Sequence, residues 1–262
     1  MRAEQGEGNV NVIGVVSALK SEASCFMNLR FPIYRIVNLG ANTRLCLSGM
    51  GSNAAHGAAL QLNEYGVDAL VSFGVATALD DKLIPGDLVL PESIVDGELL
   101  PVDLEWRNQL ERLLSSHLTI VGGSLASSAE ALTSRQAKLA LGAATGACAA
   151  DMESAAIARV AANAGIPFIA IRAIVDPIYF SPPDALLSAV FPDGGVDFIR
   201  LISLLINRSV PIKTLAHLAI GMQAARSTLT KVVQTAGMEL ASGAIGPHSQ
   251  NEKNSEESVN NK

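Results

Sequence analysis

Residues 150–176 read ADMESAAIARVAANAGIPFIAIRAIVD and contain one predicted helix followed by one predicted strand. The helix is expected over residues 152–164, because Gly165 is a typical helix stop and a proline follows two residues later. The strand is expected over residues 167–176, a short apolar run that ends at an aspartate. A nearly continuous apolar strand is typical of a sheet covered on both faces, so this unit favours an α/β fold.

The same alternation of helix and strand continues along the chain. Apolar runs bounded by turn residues predict five further strands, at residues 10–19, 44–49, 69–76, 86–95 and 118–123. Periodic segments predict six further helices, at residues 20–29, 52–65, 103–116, 134–144, 184–206 and 211–235. Because residues 86–95 resemble a hairpin, we expect a mixed central sheet. We therefore predict a single-domain, three-layer α/β/α sandwich over residues 1–240, while length alone also permits two small domains.

Composition limits the classes of partner. The chain has 262 residues, of which 49% are apolar, and a mean hydropathy of +0.31, which is enough to build a large core. A net charge of -6 and a pI near 5.2 argue against a nucleic-acid surface, which is normally basic, so small-molecule or protein partners are expected.

Residues 241–262 contain no aromatic residue and are rich in Ser, Asn and Glu, which predicts a disordered tail.

Cysteine and histidine usage indicates neither disulfides nor a metal site. The three cysteines are an odd number without a C-x-x-C pair, and the four histidines lie far apart without ligand spacing. We therefore expect no metal and a reducing, cytoplasmic location. The N-terminal residues make a poor signal peptide and no apolar run reaches about 18 residues, so no membrane span is predicted.

A glycine-rich turn, LSGMGSNAAHGAA at residues 47–59, follows a predicted strand and begins a predicted helix. Gly49, Gly51 and Ala54 fit the pattern G-x-G-x-x-A, in which backbone N–H groups face an anion. A dinucleotide site would also need an acid about 20 residues later, and none is present, which disfavours a dehydrogenase. A plain strand-to-helix turn with Ser52 as N-cap is the alternative.

Four charged residues at the two ends of the quoted segment are candidate site residues. Asp151 is placed where an N-cap belongs, which we prefer to a catalytic role, and Glu153 either stabilises the helix dipole or binds a ligand. Asp176 ends a strand, where α/β folds bind ligands, and a buried carboxylate there needs water, a cation or a ligand. Arg172 precedes it by four strand residues, roughly 13 Å, so it is expected only in a structural ion pair.

Four segments together resemble the signature segments of the nucleoside phosphorylase and nucleosidase family. They are IGVVSALKSEA at 13–23, LSGMGSNAA at 47–55, PGDLVLP at 85–91 and the quoted segment at 150–176. The spacing between M-E-x-A-A and R-A-I-x-D is the most specific of these signals, and the resemblance covers about residues 10–177. Residues 196–233 further resemble the C-terminal part of the hopanoid-associated phosphorylase subgroup.

This resemblance implies a phosphorylase/hydrolase-like fold, a homo-oligomer and roles for particular residues. Glu153 would hold the ribose hydroxyls, Met152 would pack against the sugar, and Gly74 would lie in the substrate site. Asp176 would give a proton to the departing purine. In nucleosidases of the family the glutamate that matches Glu22 activates water, and the alternative for Glu22 is a solvated acid in a first helical turn.

The chain departs from the family pattern at the phosphate and base sites. Family phosphorylases place an Arg and a Ser near residues 71–76, where this chain has Ser72 and Val75, and SSAEAL at 127–132 lacks the aromatic residue that stacks on the base. Phosphate is therefore expected on the backbone of the glycine-rich turn, a site that needs no arginine side chain, and a neighbouring subunit is a further source from which an arginine could come. The residues concerned are Gly49, Gly51 and Ser52 for the turn and Arg30 or Arg44 for the arginine.

The expected function is phosphorolytic release of adenine from adenosylhopane in hopanoid lipid synthesis, as the subgroup resemblance implies. Inorganic phosphate would be the co-substrate and no other cofactor is expected. The first alternative is a hydrolytic nucleosidase that acts on methylthioadenosine or S-adenosylhomocysteine. The second is a non-catalytic ligand-binding module, which the presence of all three candidate acids disfavours.

Residues 200–238 suggest peripheral contact with the inner membrane. They contain five basic residues and no acid, in a chain that is acidic overall. A largely apolar stripe repeats at helical spacing and consists of Leu215, Leu218, Met222, Arg226, Leu229 and Val233. A basic amphipathic helix could bind an anionic membrane surface, while a helix that faces the core is the preferred alternative.

Overall fold

The computed structural model describes residues 12–27, 33–181 and 211–237. Its strands are β1 Ile13–Ser17, β2 Ile36–Asn38, β3 Thr43–Leu47, β4 Ala69–Ala78, β5 Leu88–Val89, β6 Ser93–Val95, β7 Leu99–Pro101, β8 Ile120–Val121, β9 Ser124–Ser127, β10 Ala149–Asp151 and β11 Phe168–Asp176. Its helices are α1 Lys20–Ala23, α2 Ser52–Glu64, α3 Leu104–Leu114, α4 Arg135–Thr145, α5 Ser154–Ala164 and α6 Ile212–Ala236. Every predicted strand has a counterpart, and so does every predicted helix except the one at 184–206, which lies outside the described residues.

The strands form one mixed sheet around β4. Strand β4 pairs in parallel with β1 on one side and with β11 on the other, and its last residues pair antiparallel with β10. The sheet continues through β3 to β2 beyond β1, through β9 and β6 to β7 beyond β10, and through β5 to β8 beyond β11. The mixed sheet is therefore confirmed, and the carboxyl ends of β1, β4 and β11 lie at the same edge.

Helices flank the sheet in two groups. Helices α2 and α5 pack against each other and on β1 and β4, while α6 packs on β11 and contacts α1 and α3. Helix α5 presents a row of alanines to the core, which lets it approach the strands closely. The strands supply most of the large apolar core, including fully buried Phe73, Leu70 and Ile171. This arrangement confirms the predicted α/β/α sandwich.

The structure differs from the sequence-based expectation at several boundaries. Helix α1 ends at Ala23 instead of residue 29, and the expected strand at 86–95 is two short strands, β5 and β6, with β7 pairing antiparallel to β6. Pro91 separates β5 from β6, because proline cannot donate a hydrogen bond to a neighbouring strand. The disordered tail predicted at 241–262 and the boundary at residue 240 lie outside the described residues and stay predictions.

Helix α6 contributes to the core. Leu229 is fully buried, and Leu218 and Met222 line a cavity, so the apolar stripe of α6 faces the protein along much of its length. A Cβ atom added to Gly221 would lie 2.1 Å from the carbonyl oxygen of Val175, so only glycine permits this close packing on the end of β11. The preferred alternative of a core-facing helix is therefore confirmed for this stripe. No helix within 12–27, 33–181 and 211–237 is long and apolar enough to cross a membrane.

Candidate active site

A cavity of about 300 Å³ lies where β1, β4 and β11 end and α5 begins. Its lining contains five carboxylates and, among the residues that the structure describes, no lysine or arginine. The carboxylates are Glu22, Glu130, Asp151, Glu153 and Asp176. The fold thus brings together all three acids that the sequence singled out for chemistry, from parts of the chain more than 150 residues apart.

Glu22 is a buried and firmly positioned carboxylate. Its Oε2 accepts hydrogen bonds from the backbone N–H groups of Ala18 at 3.0 Å and Leu19 at 2.9 Å, and its Oε1 accepts one from Val75 at 2.9 Å. Only 1% of the residue is exposed, and burial raises the pKa of its carboxyl group, against the opposing effects of Arg172 and of these hydrogen bonds. The alternative of a solvated helix acid is therefore wrong. A fixed carboxylate with a raised pKa suits proton transfer.

Gly74 makes room for this arrangement. A Cβ atom at this position would lie 2.3 Å from Nη1 of Arg172 and 2.5 Å from Oε1 of Glu22, so any other residue would displace one of the two. Gly74 is not among the lining residues of the cavity, whereas its neighbour Val75 is. Gly74 therefore lies directly behind Glu22, and its predicted contact with the substrate stays a prediction.

Glu153 takes the position expected for an anion at the glycine-rich turn. Its Oε1 accepts a hydrogen bond from the backbone N–H of Gly51 at 2.7 Å, and its Oε2 accepts one from Met152 at 3.3 Å. Burial is the main cause that raises the pKa of Glu153 to about 7, and the negative charge of Asp151 adds to it. Gly51 is thus not available to a phosphate in this arrangement. Nor does Ser52 cap α2, since Gly51 occupies the N-cap position.

The glycine-rich turn differs from the interpretation with Ser52 as N-cap, while its role in phosphate binding stays a prediction. Gly49, Gly51 and Ser52, the predicted phosphate-binding residues, do not line the cavity, whereas Met50 between them does. One of the backbone N–H groups that the sequence assigned to a phosphate, that of Gly51, is bonded to a carboxylate of the same chain. Sequence reasoning could not foresee this contact, because Gly51 and Glu153 are 102 residues apart.

Asp151 and Arg172 form a buried ion pair beneath the cavity. Oδ2 of Asp151 lies 2.7 Å from Nη2 of Arg172, which also donates to the hydroxyl oxygens of Ser72 and Ser154. Oδ1 of Asp151 accepts the backbone N–H groups of Ser154 at 3.1 Å and Glu153 at 3.3 Å. Helix α5 begins at Ser154 and not at Met152, and Glu153 occupies its N-cap position, so the prediction of Asp151 as the N-cap residue is wrong, although its side chain binds N–H groups at the helix start. The structural ion pair expected of Arg172 is confirmed.

Asp176 has a cationic partner that the sequence did not reveal. Its Oδ2 accepts a hydrogen bond from Oγ1 of Thr77 at 2.8 Å and forms an ion pair with Nζ of Lys138 in α4. Lys138 also donates to the carbonyl oxygens of Pro177 at 3.0 Å and Phe180 at 2.8 Å. A lysine within a helix normally reaches solvent, so no sequence signal distinguished Lys138 from other surface lysines.

The remaining wall of the cavity is mostly apolar. Met50 and Met152 lie beside the carboxylates, and Leu218 and Met222 of α6 contribute further apolar surface. In the loop where the family has an aromatic residue, Leu132 is the largest apolar side chain that lines the cavity. The cavity therefore offers acids to a polar group and apolar side chains to a base or an alkyl substituent.

No metal site is evident in the part of the chain that the structure describes, where no group of three or more His, Cys, Asp or Glu could hold an ion. Cys25 and Cys46 are buried free thiols, and Cys148 is partly buried and also free. Burial raises the pKa of the Cys46 thiol to about 11, which keeps it protonated and unreactive.

Comparison with known proteins identifies the family. The family model described as the phosphorylase superfamily matches residues 18–185. Among solved structures, 5'-methylthioadenosine/S-adenosyl homocysteine nucleosidase from Helicobacter pylori has a TM-score of 0.67 at 17% identity, covering 89% of this chain and 100% of that one. Futalosine hydrolase from the same organism has a TM-score of 0.62 at 18% identity, covering 86% and 98%.

A third structure of this fold is a nucleosidase of the same kind from Colwellia psychrerythraea, solved in complex with adenine. It has a TM-score of 0.63 at 17% identity and covers 90% of this chain and 96% of that one. At these identities the solved structures establish the fold alone, and none of the curated proteins matches the sequence significantly. Because the family model spans more than half of the 262 residues, the protein belongs to the phosphorylase superfamily.

Proposed function

We propose that the protein cleaves the N-glycosidic bond of a purine nucleoside-like substrate and releases adenine. The observation that supports this most directly is the meeting of Glu22, Glu153 and Asp176 at one cavity with an apolar wall. Cleavage of this bond places positive charge on the sugar and negative charge on the base, so the reaction uses both ionised and protonated carboxyl groups. The complex of the Colwellia nucleosidase with adenine is consistent with a purine in a cavity of this fold.

Each acid has a distinct role in the proposed reaction. Asp176 gives a proton to the purine while the bond between the sugar and the base breaks and its electron pair goes to the base. Glu153, in its ionised form, accepts hydrogen bonds from the ribose hydroxyls, and Met152 packs against the sugar. A water oxygen then bonds to the anomeric carbon and loses its proton to Glu22. Proton exchange with solvent restores Asp176 and Glu22.

Water is the nucleophile that the geometry favours, in contrast to the expectation of phosphorolysis. Phosphate needs cations or several free N–H groups, yet the described cavity lining has five carboxylates and no lysine or arginine. The N–H of Gly51 is already bonded to Glu153. Glu22, by contrast, is fixed by three backbone hydrogen bonds and has a raised pKa, which suits a base that activates water.

Phosphorolysis with inorganic phosphate as co-substrate is the second candidate. It is favoured by the resemblance of residues 196–233 to the hopanoid-associated phosphorylase subgroup. The first-turn N–H groups of α2 have no acceptors within the helix, and a second subunit of a homo-oligomer could add an arginine. The two candidate arginines are Arg44 and Arg30. Arg44 donates hydrogen bonds to the carbonyl oxygens of Gly40, Ala41 and Thr43 of its own chain, and Arg30 lies outside the described residues.

The apolar wall supports a substrate with an apolar 5'-substituent, for which adenosylhopane is our proposed example. Leu218 and Met222 of α6 supply part of that wall. On the outer side of the same helix, Ile212 and Ile220 are 75% and 65% exposed, so peripheral membrane contact stays a proposal for a lipid-linked substrate. Co-sedimentation with anionic vesicles at low salt tests it, and failure to bind refutes it.

Adenine release from a panel of nucleosides tests the proposed function. The panel contains 5'-methylthioadenosine, adenosine, inosine and adenosylhopane, each with and without phosphate. We expect adenine release from substrates with an apolar 5'-group and little release of hypoxanthine from inosine. The Asp176→Asn variant is expected to lose most of this activity, while Asp68→Asn, which changes a carboxylate outside the cavity, keeps it. Absence of adenine release from every substrate would contradict the proposal.

A further inference from the structure

The two carboxyl oxygens of Asp176 have different surroundings. Oδ2 accepts a hydrogen bond from Thr77 and forms the ion pair with Lys138. Oδ1 has no hydrogen-bond partner within 12–27, 33–181 and 211–237, and Asp176 lines the cavity. The described residues therefore occupy Oδ2 and leave Oδ1 facing the cavity.

Lys138 is a fully buried ammonium group in which every N–H donor has an acceptor. Its exposed fraction is 0%, and its acceptors are Oδ2 of Asp176 and the carbonyl oxygens of Pro177 and Phe180. An ammonium group has three donors, so the three acceptors match it completely. A buried charge without partners is costly, and these three acceptors offset that cost for Lys138. Lys138 thus ties helix α4 to Asp176 and to the segment that follows it.

Thr77 reaches the same oxygen because of the strand register. Strand β11 shifts register between Ile174 and Asp176, and this irregularity sets Asp176 opposite Thr77 on β4. Irregularities of this kind redirect a side chain at the end of a strand. The threonine hydroxyl and the lysine approach from different elements, so Oδ2 is held from two directions.

We propose that Lys138 and Thr77 are positioning residues that fix Asp176 with Oδ2 as its acceptor oxygen, so that the proton given to the base comes from Oδ1. The inference rests on the proposed function. In a carboxylic acid, the oxygen that accepts two hydrogen bonds is the carbonyl oxygen, and the other oxygen bears the hydrogen. The proton passes from Oδ1 to a purine nitrogen as the glycosidic electron pair goes to the base, and the ammonium of Lys138 stabilises the carboxylate that remains.

Two substrates separate this role from a purely structural one. Adenine in 5'-methylthioadenosine needs protonation to leave, whereas nitrophenolate in p-nitrophenyl riboside is a good leaving group that does not. For Lys138→Met we expect adenine release to fall roughly 100-fold, which is the lower end of a general-acid effect. For Thr77→Val, which removes one hydrogen bond at similar volume, we expect a loss of about tenfold. Nitrophenolate release is expected to change less than about threefold in either variant.

A second measurement uses the Asp176→Asn background. Residues that act through Asp176 lose their effect once it is replaced, so neither change is expected to slow adenine release further there. Arg107→Met serves as a matched control, because Arg107 is also a buried cation but does not line the cavity. This control is expected to lower thermal stability and to leave the ratio of the two substrate rates unchanged.

The outcomes of these experiments are distinct. Equal losses for both substrates in Thr77→Val, or losses that multiply in the Asp176→Asn background, would overturn the positioning role while leaving the proposed function intact. If Lys138→Met fails to fold, the Thr77→Val variant decides the question through its substrate rates and through calorimetric binding of adenine. Thr77→Val is expected to bind adenine at least fivefold more weakly than the wild type, a difference on the order of one lost hydrogen bond. A wild-type protein that neither binds adenine nor releases it overturns both the inference and the proposed function.

Discussion

Replacement of Glu153 by glutamine is expected to stabilise the protein while it removes activity. Glu153 is 7% exposed, and its pKa is raised from 4.5 to about 7, chiefly by burial. The folded state therefore binds the proton of Glu153 more tightly than the unfolded state does. Stability from this group is full below about pH 4.5 and is lost as the pH rises through about 7.

The magnitude follows from the size of this pKa shift. At about 1.4 kcal/mol for each pKa unit, an ionised Glu153 costs the fold roughly 3 kcal/mol at pH 8. The amide oxygen of glutamine can still accept the N–H of Gly51, whereas the bond from Met152 is lost, at a cost of about 1 kcal/mol. We therefore expect Glu153→Gln to raise the free energy of unfolding by about 2 kcal/mol at pH 8 and by about zero at pH 5, where ionisation costs less than about 1 kcal/mol.

Urea denaturation at the two pH values measures this difference. Glu64→Gln is the matched control, because Glu64 is exposed and its replacement is expected to change stability by less than about 0.5 kcal/mol at either pH. The same Glu153→Gln preparation should bind ribose-containing substrates much more weakly, since an amide cannot replace an ionised acceptor. A variant that is less stable than the wild type at pH 8, or equally stabilised at both pH values, would refute the reasoning.

Two further changes test other parts of the account. Glu22→Gln is expected to slow adenine release by about 100-fold or more without weakening substrate binding, because it removes the proposed base. Steady-state kinetics measures both effects, and an unchanged kcat would exclude Glu22 as the base. Gly221→Ala is expected to destabilise the protein by about 2 kcal/mol or more, because its Cβ atom would lie 2.1 Å from the carbonyl oxygen of Val175. Gly57→Ala in α2, where a Cβ atom has room, is expected to stabilise by about 0.5–1 kcal/mol, and thermal melting compares the two glycines.

The elements that local patterns determine were predictable from the sequence. Strand β11 and helices α2 and α6 begin and end within two residues of their predicted bounds, because apolar period, glycine and proline signal them directly. Short strands such as β2, β7 and β10 were not predicted, since three residues contain too little periodicity and their pairing partners supply the stability. The mixed sheet followed from the hairpin-like segment at 86–95, although the hairpin itself lies between β6 and β7.

The sequence predicted the acidic residues of the candidate site but not the residues that contact them. Glu22, Glu153 and Asp176 were identified from the family resemblance, and the fold brings all three to one cavity. The contacts of Lys138 with Asp176 and of Gly51 with Glu153 join residues 38 and 102 positions apart. Contacts of this kind depend on how the sheet brings distant loops together, and a single sequence has no local signal for them.

The source of the oxygen that enters the sugar tests the central claim most directly. The protein is incubated with 5'-methylthioadenosine in phosphate-free buffer made with water enriched in oxygen-18, and adenine and the sugar product are measured by mass spectrometry. The account predicts one free sugar for each adenine released, with the label at its anomeric hydroxyl in samples analysed before that oxygen exchanges with the water. Release of adenine only when phosphate is added, with formation of a sugar phosphate, would contradict water activation by Glu22, and no release under either condition would contradict glycosidic cleavage itself.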